Sequence, residues 1–264
     1  MHYLGLCAIL KDEGAFLEEW VAYYMRLGIE AFYLYDNESI TPVRETLRDL
    51  AARTKPNLTV YDTPGKAMQV LTYTHCLETN KKNCKWIAFM DADEFIVPRD
   101  HDSIAGMLEE FEPYSGLAMN WKIFGSNGHK TRPTGLQLEN YTKTLPLDHE
   151  RHKGVKCIVQ PARVMAFFNP HIGVPHNQAD AIVTEAHMPI NTHCSETALW
   201  SKGQINHYYY RSKQDYWIKM HKPRATVLSK RVLPDNPTPP EGEVTDTSAL
   251  RFVGGVKKIL GMDG

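Results

Sequence analysis

"KWIAFMDADEF", residues 85–95, decides how the chain is read, because an apolar run stops abruptly at three carboxylates, Asp91, Asp93 and Glu94. An unbroken apolar stretch over 86–90 is what a strand covered on both faces requires, and such strands belong to the parallel sheets of α/β proteins. The residues before it agree. "YLGLCAIL" (3–10), "AFYLYDN" (31–37) and "NLTVYDT" (57–63) predict further strands. Between them, "GAFLEEWVAYYMRLG" (14–28) carries Phe16, Trp20 and Tyr24 on one helical stripe, with Gly28 as its stop. "TPVRETLRDLAAR" (41–53) predicts a helix with Thr41 as cap and Pro42 at its first position, and a further helix covers about 66–80.

Strands alternating with helices imply β-α-β units and an open, mostly parallel sheet flanked by helices. Ligands of such sheets bind beyond the carboxyl ends of the strands. Lys11-Asp12-Glu13, Asp36-Asn37, Asp62-Thr63 and Asp91-Ala92-Asp93 all fall at such ends. After Pro113 the pattern changes to strands at 116–125, 155–167 and 203–212, a mixed β extension on the acceptor side, followed by a helix over 212–222 begun by Ser212. The reading is one domain over 1–232, with a nucleotide-binding half (1–112) and an acceptor half (113–232). The Pro-rich segment and tail, 233–264, read as an extended excursion or lid.

The chain has 264 residues, and 30 Lys+Arg against 31 Asp+Glu leave a formal charge of -1, so no global field favours nucleic acid or an anionic membrane. Any anion site must be local, and the basic run Lys202, Arg211, Lys213, Lys219, Lys222, Arg224, Lys230 and Arg231, offset only by Asp215, is either the place for one or a solvated basic surface. Five cysteines with no C-x-x-C pair argue for a reducing, cytoplasmic setting rather than a disulfide framework. No segment reads as a transmembrane helix, so attachment to a membrane would be peripheral, at its inner face.

Two carboxylates at i and i+2 past a buried strand can turn their oxygens to one side of a bend. Hard cations such as Mg²⁺ or Mn²⁺ take oxygen ligands and keep positions open for substrate phosphates. A D-x-D is also a common solvated turn. Its place in this sheet, beside three other polar strand ends, favours the metal.

"VAYYMRLGIEAFYLYDNES" (21–39), "QVLTYTHCLETNKKNCKWIAFMDADEFIVP" (69–98) and "INHYYYRSKQDYWIKM" (205–220) resemble the glycosyltransferase-2-like proteins of GT-A fold, especially relatives of glycosyltransferase family 92. The resemblance runs over roughly residues 3–222 and rests on the E-W helix, the D-N-x-S turn, the Q-x-x-x-Y-x-H-C helix, the D-x-D-E-F strand end and the late H-Y, in that order. It implies that Asp91 and Asp93 bind the metal bridging a nucleotide-sugar diphosphate, with Asp93 the catalytic ligand, His207 the third ligand and Glu94 bracing the loop. It also places Lys11, Glu13, Asp36 and Asn37 around the nucleoside, and Lys213, Lys219 and Lys222 over the leaving diphosphate. By helical spacing, Gln69 and Tyr73 are one turn apart and either face the same site beside Lys66 or are ordinary packing residues. Trp121 either holds a sugar face on the acceptor side, with His129 at the rim, or is a core residue of its strand. Lys156 and His171 sit in a stretch like the family's, with no role assigned. Glu139, Asp148 and Glu150 are the candidates for the general base.

The expected activity is transfer of a hexose, from a UDP-hexose or similar donor, to a saccharide or glycolipid hydroxyl with inversion, as in polysaccharide biosynthesis. A metal-dependent phosphohydrolase and a non-catalytic carbohydrate-binding module are the competing readings; the first would need more metal ligands than the Asp pair and His207.

Overall fold

The computed structural model describes residues 1–177, 179–221 and 238–262. In chain order the elements are β1 (His2–Leu10), α1 (Gly14–Arg26), β2 (Ala31–Asp36), α2 (Val43–Thr46), α3 (Arg48–Thr54), β3 (Leu58–Asp62), α4 (Gln69–Asn80), β4 (Cys84–Phe89), β5 (Glu94–Pro98), α5 (Ile104–Leu108), β6 (Gly116–Ile123), α6 (Gln137–Asn140), β7 (Lys143–Thr144), β8 (Val155–Val159), β9 (Val164–Phe167), β10 (Gly173–Pro175), β11 (Ile182–Val183), β12 (Gly203–His207), α7 (Lys213–His221), β13 (Val244–Thr245) and α8 (Val253–Leu260).

The fold is α/β, with a mixed, mostly parallel sheet in the order β3-β2-β1-β4-β8-β6-β12-β5 and β11 paired to β6. β3, β2, β1 and β4 run parallel, as their apolar sequences require. β8 enters antiparallel between β4 and β6, so the later strands continue the same sheet instead of standing apart from it.

Three local expectations change. The helix foreseen over 41–53 breaks at Leu47 into α2 and α3, and Thr41 is not its cap. Asp36 takes that role, its Oδ2 accepting from the Val43 amide at 2.9 Å. The strand foreseen over 155–167 divides into β8 and β9 around a 3₁₀ turn begun by Pro161. β5, which the sequence reading takes as the anchor of a bend, is a strand paired antiparallel to β12.

β5 lies at the edge of the sheet, and α1 covers it. The Trp20 indole and the Tyr24 hydroxyl both donate to the Glu94 carbonyl at 3.0 Å, Tyr23 donates to the Ile96 carbonyl at 2.7 Å, and the Ile96 amide donates to Tyr24 at 3.2 Å. Trp20, Tyr23 and Tyr24 share one helix face because they stand at i, i+3 and i+4. The aromatic stripe of α1 thus satisfies backbone groups that an edge strand leaves open.

The tail joins the same body. β13 pairs with β7, Phe252 lies edge-on to Tyr23 with centroids 5.7 Å apart, and α8 packs against α1. Residues 238–262 are therefore folded onto the domain; the remaining residues foreseen as an excursion, 233–237 and 263–264, lie outside the described residues. The anchor is buried: Lys122 Nζ meets Asp246 Oδ2 at 2.6 Å, with Gln204 donating to the same oxygen at 3.0 Å and Lys122 standing 4.8 Å from the Trp200 ring centroid. No described helix is long and apolar enough to cross a membrane. The five cysteines are free, and four of them are buried.

Burial alone would raise the Asp246 carboxyl, but hydrogen bonds from Lys122 and Ser248 hold it well below the usual carboxylate range. A depressed acid stabilises the fold above its unfolded value, about 3.9, and the contribution disappears as pH falls further. Asp246→Asn should cost about 3–5 kcal/mol at pH 7 by leaving Lys122 buried without its partner. The cost should shrink toward pH 3, as urea unfolding of both proteins at the two pH values will show.

Candidate active site

The strand end after β4 holds three acids in three environments. Asp91 Oδ1 accepts from Gln69 Nε2 at 2.7 Å and from the Tyr73 hydroxyl at 3.2 Å, and lies 3.0 Å from Lys156 Nζ. Gln69 and Tyr73 are one turn apart on α4, so the helix presents both to the same carboxylate. Lys156 arrives from β8. Its antiparallel register with β4, Ala88 opposite Ile158, continues to put Lys156 level with Met90, just before the acids.

Glu94 is wholly buried. Its Oε2 accepts from the Asp91 amide at 2.8 Å and stands 3.5 Å from Lys156. Glu94 therefore braces the turn, as expected. Burial pushes its carboxyl up to about 8 against the pull of Lys156, and the charges of Asp91 and Asp93 add to the rise. Lys156 loses stability as a cation by burial, yet Asp91 and Glu94 hold it well above the ordinary lysine value. Lys156 is thus shared between Asp91 and the buried Glu94.

Asp93 is also buried, and its cation comes from elsewhere. Lys219 on α7 donates to its Oδ2, and His207 Nε2 stands 3.5 Å from the same oxygen. Burial would raise Asp93, but Lys219, His207 and Arg211 hold it well below the usual range. Burial lowers His207, leaving a neutral imidazole. The placement of His207 follows from register, since it pairs with Glu94 across β5 and with Ile123 across β6.

Arg211 locks the turn from behind. It donates to the Ala92 carbonyl at 3.1 Å, to Glu13 at 3.2 Å and to Gln137 at 3.2 Å, and its guanidinium lies 3.7 Å from the Phe16 ring centroid. Its φ of 52° is left-handed, an uncommon backbone for a residue with a Cβ. Such strain persists only where the surroundings over-determine it, as these three hydrogen bonds do. Arg211, Lys219 and Arg132, with the acids Asp12, Glu13 and Asp215, line a cavity of about 290 Å³ that reaches Asp93 through Lys219.

Trp121 is half-buried, with ring centroids 4.6 Å from His207 and 5.3 Å from His171. It lies so close over Gly154 that a Cβ there would come within 2.2 Å of the indole. His171 donates from Nδ1 to the Val155 carbonyl at 2.9 Å, and burial lowers its pKa to about 4, so Nε2 keeps its lone pair.

The remaining expected residues lie further out. Lys11 Nζ donates to the Asn37 carbonyl at 2.7 Å, and Asn37 Nδ2 donates to the Thr63 and Gly65 carbonyls at 2.7 and 2.8 Å, joining the ends of β1, β2 and β3. Both Asp36 oxygens accept backbone amides, from Ser39 and Val43. Lys66 and Lys213 are exposed, and Lys222, Arg224, Lys230 and Arg231 fall outside the described residues. His129 meets the Asn140 carbonyl at 3.2 Å in the loop that supports the start of α7.

The three candidate bases are not brought to Asp93. Glu139 pairs with Lys257 of α8 at 2.7 Å, Glu150 with Lys153 at 3.0 Å, and Asp148 is exposed. Among the described residues, no three His, Cys, Asp or Glu side chains converge as a metal-ligand set. The sequence offers Arg211 only as part of the basic run, because its role at the turn depends on a backbone angle. Lys156 had a signal, a lone cation inside the apolar run "VKCIV".

The family model described as glycosyltransferase family 92 matches residues 6–238. A glycosyltransferase family 92 protein of Oryza sativa subsp. japonica is 29% identical over 157 residues, covering 58% of this chain and 26% of the relative. One of Arabidopsis thaliana is 30% identical over 141 residues, covering 51% and 24%. The chain thus spans about a quarter of the length of the curated relatives it matches. Among solved structures, S. aureus TarS 1-349 aligns with a TM-score of 0.41 at 15% identity, covering 61% of this chain and 47% of that one. Its complex with UDP aligns with a TM-score of 0.38 at 13% identity, covering the same shares.

Lys156→Met should leave the buried Glu94 and the partly exposed Asp91 without their cation and lower stability by about 3 kcal/mol. Lys202→Met, which removes a surface pairing with Glu110, should cost under about 1 kcal/mol. Chemical denaturation of the two variants side by side checks the contrast.

Proposed function

The chain belongs to glycosyltransferase family 92, and from that membership we propose that it transfers a hexose from a nucleotide diphosphate sugar, such as a UDP-hexose, to a hydroxyl of a saccharide or glycolipid, with inversion at the anomeric carbon. The observation that carries the reading is the constellation at Asp93: a buried carboxylate, a neutral imidazole 3.5 Å from it and an ammonium on the same oxygen, at a strand end beside a cavity. Family membership favours transfer over phosphate hydrolysis and over a non-catalytic sugar-binding role.

Asp93 and His207 offer two donors, with no third His, Cys, Asp or Glu converging on them among the described residues, so a hard divalent cation, Mn²⁺ or Mg²⁺, fits here only as one completed by the donor's phosphate oxygens and water. Asp93 Oδ2 and His207 Nε2 are an oxygen and a neutral nitrogen close together, and Lys219 already stands there as a positive charge. Asp91 fits less well as a ligand, because Gln69, Tyr73 and Lys156 engage its Oδ1. Its part is to set the turn that presents Asp93. When bound, the metal supplies a Lewis acid for the departing diphosphate.

The chain's own residues supply the rest. We read the cavity lined by Lys219, Arg211 and Arg132 as the place where the diphosphate leaves; Glu13 and Asp215, which pair with the two arginines, line it as well, so Lys219 is the cation this reading assigns to the leaving group. Arg211 holds the Ala92 carbonyl and so keeps the two aspartates on their separate sides of the turn. Trp121 offers an aromatic wall for a sugar face. His171, which also contacts that wall, has its lone pair on Nε2, and we assign it as the candidate group for taking the acceptor proton.

Asp93→Ala, assayed against a panel of UDP-hexoses at saturating Mn²⁺, should lose both transfer and donor hydrolysis by at least about a hundredfold. UDP with Mn²⁺ should raise the melting temperature of the unaltered protein and not of the variant. Full activity in Asp93→Ala would overturn the reading.

A further inference from the structure

Each aspartate of the turn has a resident cation, and the two cations are held differently. Lys156 is 0% exposed, grows from the sheet, and meets Asp91, Glu94 and the Tyr73 hydroxyl together. Its withdrawal would strand charge in the interior, so it is a permanent partner. Lys219 grows from α7, its side chain is 25% exposed, and its ammonium meets Asp93 and the Tyr209 carbonyl while lying 3.7 Å from the Tyr209 ring centroid. It also lines the adjoining cavity, where Arg211 and Arg132 are paired with Glu13 and Asp215. A lysine stem has four rotatable carbons and a compact charge, so its ammonium can change partners at small cost to the backbone.

The same Asp93 oxygen receives Lys219 and faces His207. An ammonium and a divalent cation cannot share that oxygen without strong repulsion. We propose that Lys219 is the exchangeable cation of this site: it neutralises Asp93 in the metal-free chain, releases the carboxylate when a divalent cation is bound, and carries its charge into the adjoining cavity to the diphosphate of the donor. The inference rests on the metal-dependent reading above and adds an order to it. Metal alone has to compete with Lys219 for Asp93. A nucleotide diphosphate offers the displaced ammonium a new anion, so nucleotide strengthens metal binding and metal strengthens nucleotide binding by the same factor.

Calorimetric titration of Mn²⁺ into the full chain, with and without saturating UDP, tests this in Lys219→Gln and Lys219→Arg beside the unaltered protein. Without nucleotide, Lys219→Gln should bind Mn²⁺ about tenfold more tightly than the unaltered protein, and the factor by which UDP tightens Mn²⁺ should shrink by a similar amount. Lys219→Arg, which keeps the charge, should behave like the unaltered protein. That separates charge from the lost contact with Tyr209. If the unaltered protein binds Mn²⁺ and Lys219→Gln binds it equally or more weakly, the exchange is wrong while the metal site stands. If neither protein binds Mn²⁺ even with UDP, the metal reading itself fails and the exchange fails with it.

Discussion

Only four residues, 90–93, connect the end of β4 at Phe89 to the start of β5 at Glu94. Yet the path between these strands through the sheet passes β8, β6 and β12. Four strand spacings in a flat sheet amount to about 19 Å. Five residue steps, fully extended, reach roughly 17 Å, and residues 91–94 are bent by a hydrogen bond from the Glu94 amide to the Asp91 carbonyl at 3.0 Å. The sheet has to curl until β4 and β5 approach each other. Asp91 and Asp93 occupy the closure, so the carboxylates stand where the curled sheet meets itself.

Much of the remaining architecture follows from that closure. The edge strand β5 needs its backbone groups met, and Trp20, Tyr23 and Tyr24 of α1 meet them. β12 must lie beside β5, which sets His207 against Glu94 and within 3.5 Å of Asp93. Bringing carboxylates together in a curled, water-poor turn is costly unless cations come with them. β8 supplies Lys156 from the sheet and α7 supplies Lys219 from the outside. Glu94, the third acid, is accommodated by the rise in its pKa.

Several features were legible because their cause is local. The apolar run 86–90 could only be a covered strand, the helical stripe of α1 has the right period, and Ser212 caps α7 by accepting from the Asp215 amide at 3.1 Å while donating to its carboxylate. The pairing of the D-x-D with His207 was also anticipated. Gln69 and Tyr73 were placed at the site, though on Asp91 itself. By contrast, β5 was missed because "EFIVP" follows the acids without a turn residue to announce a new strand. Asp36 looked like a ligand-facing acid, and its carboxylate instead closes the start of α2. The acids offered as bases pair elsewhere, Glu150 with the neighbouring Lys153 and Glu139 with Lys257, 118 residues away on α8, and sequence position says nothing about which side of a loop an acid faces.

The amino-acid sequence by itself determined the α/β class, the parallel first half and the presence of an acidic strand end, because hydrophobic period and turn chemistry act over a few residues. Tertiary structure alone decided which cation answers which carboxylate, that the tail returns to α1 through the buried Lys122–Asp246 pair, and that Arg211 holds the turn with a left-handed backbone. These depend on partners 65 residues apart for Lys156 and Asp91 and 126 for Lys219 and Asp93. Contacts between groups so distant in the chain exist only after the sheet has curled, and no local pattern encodes the distance across which they meet.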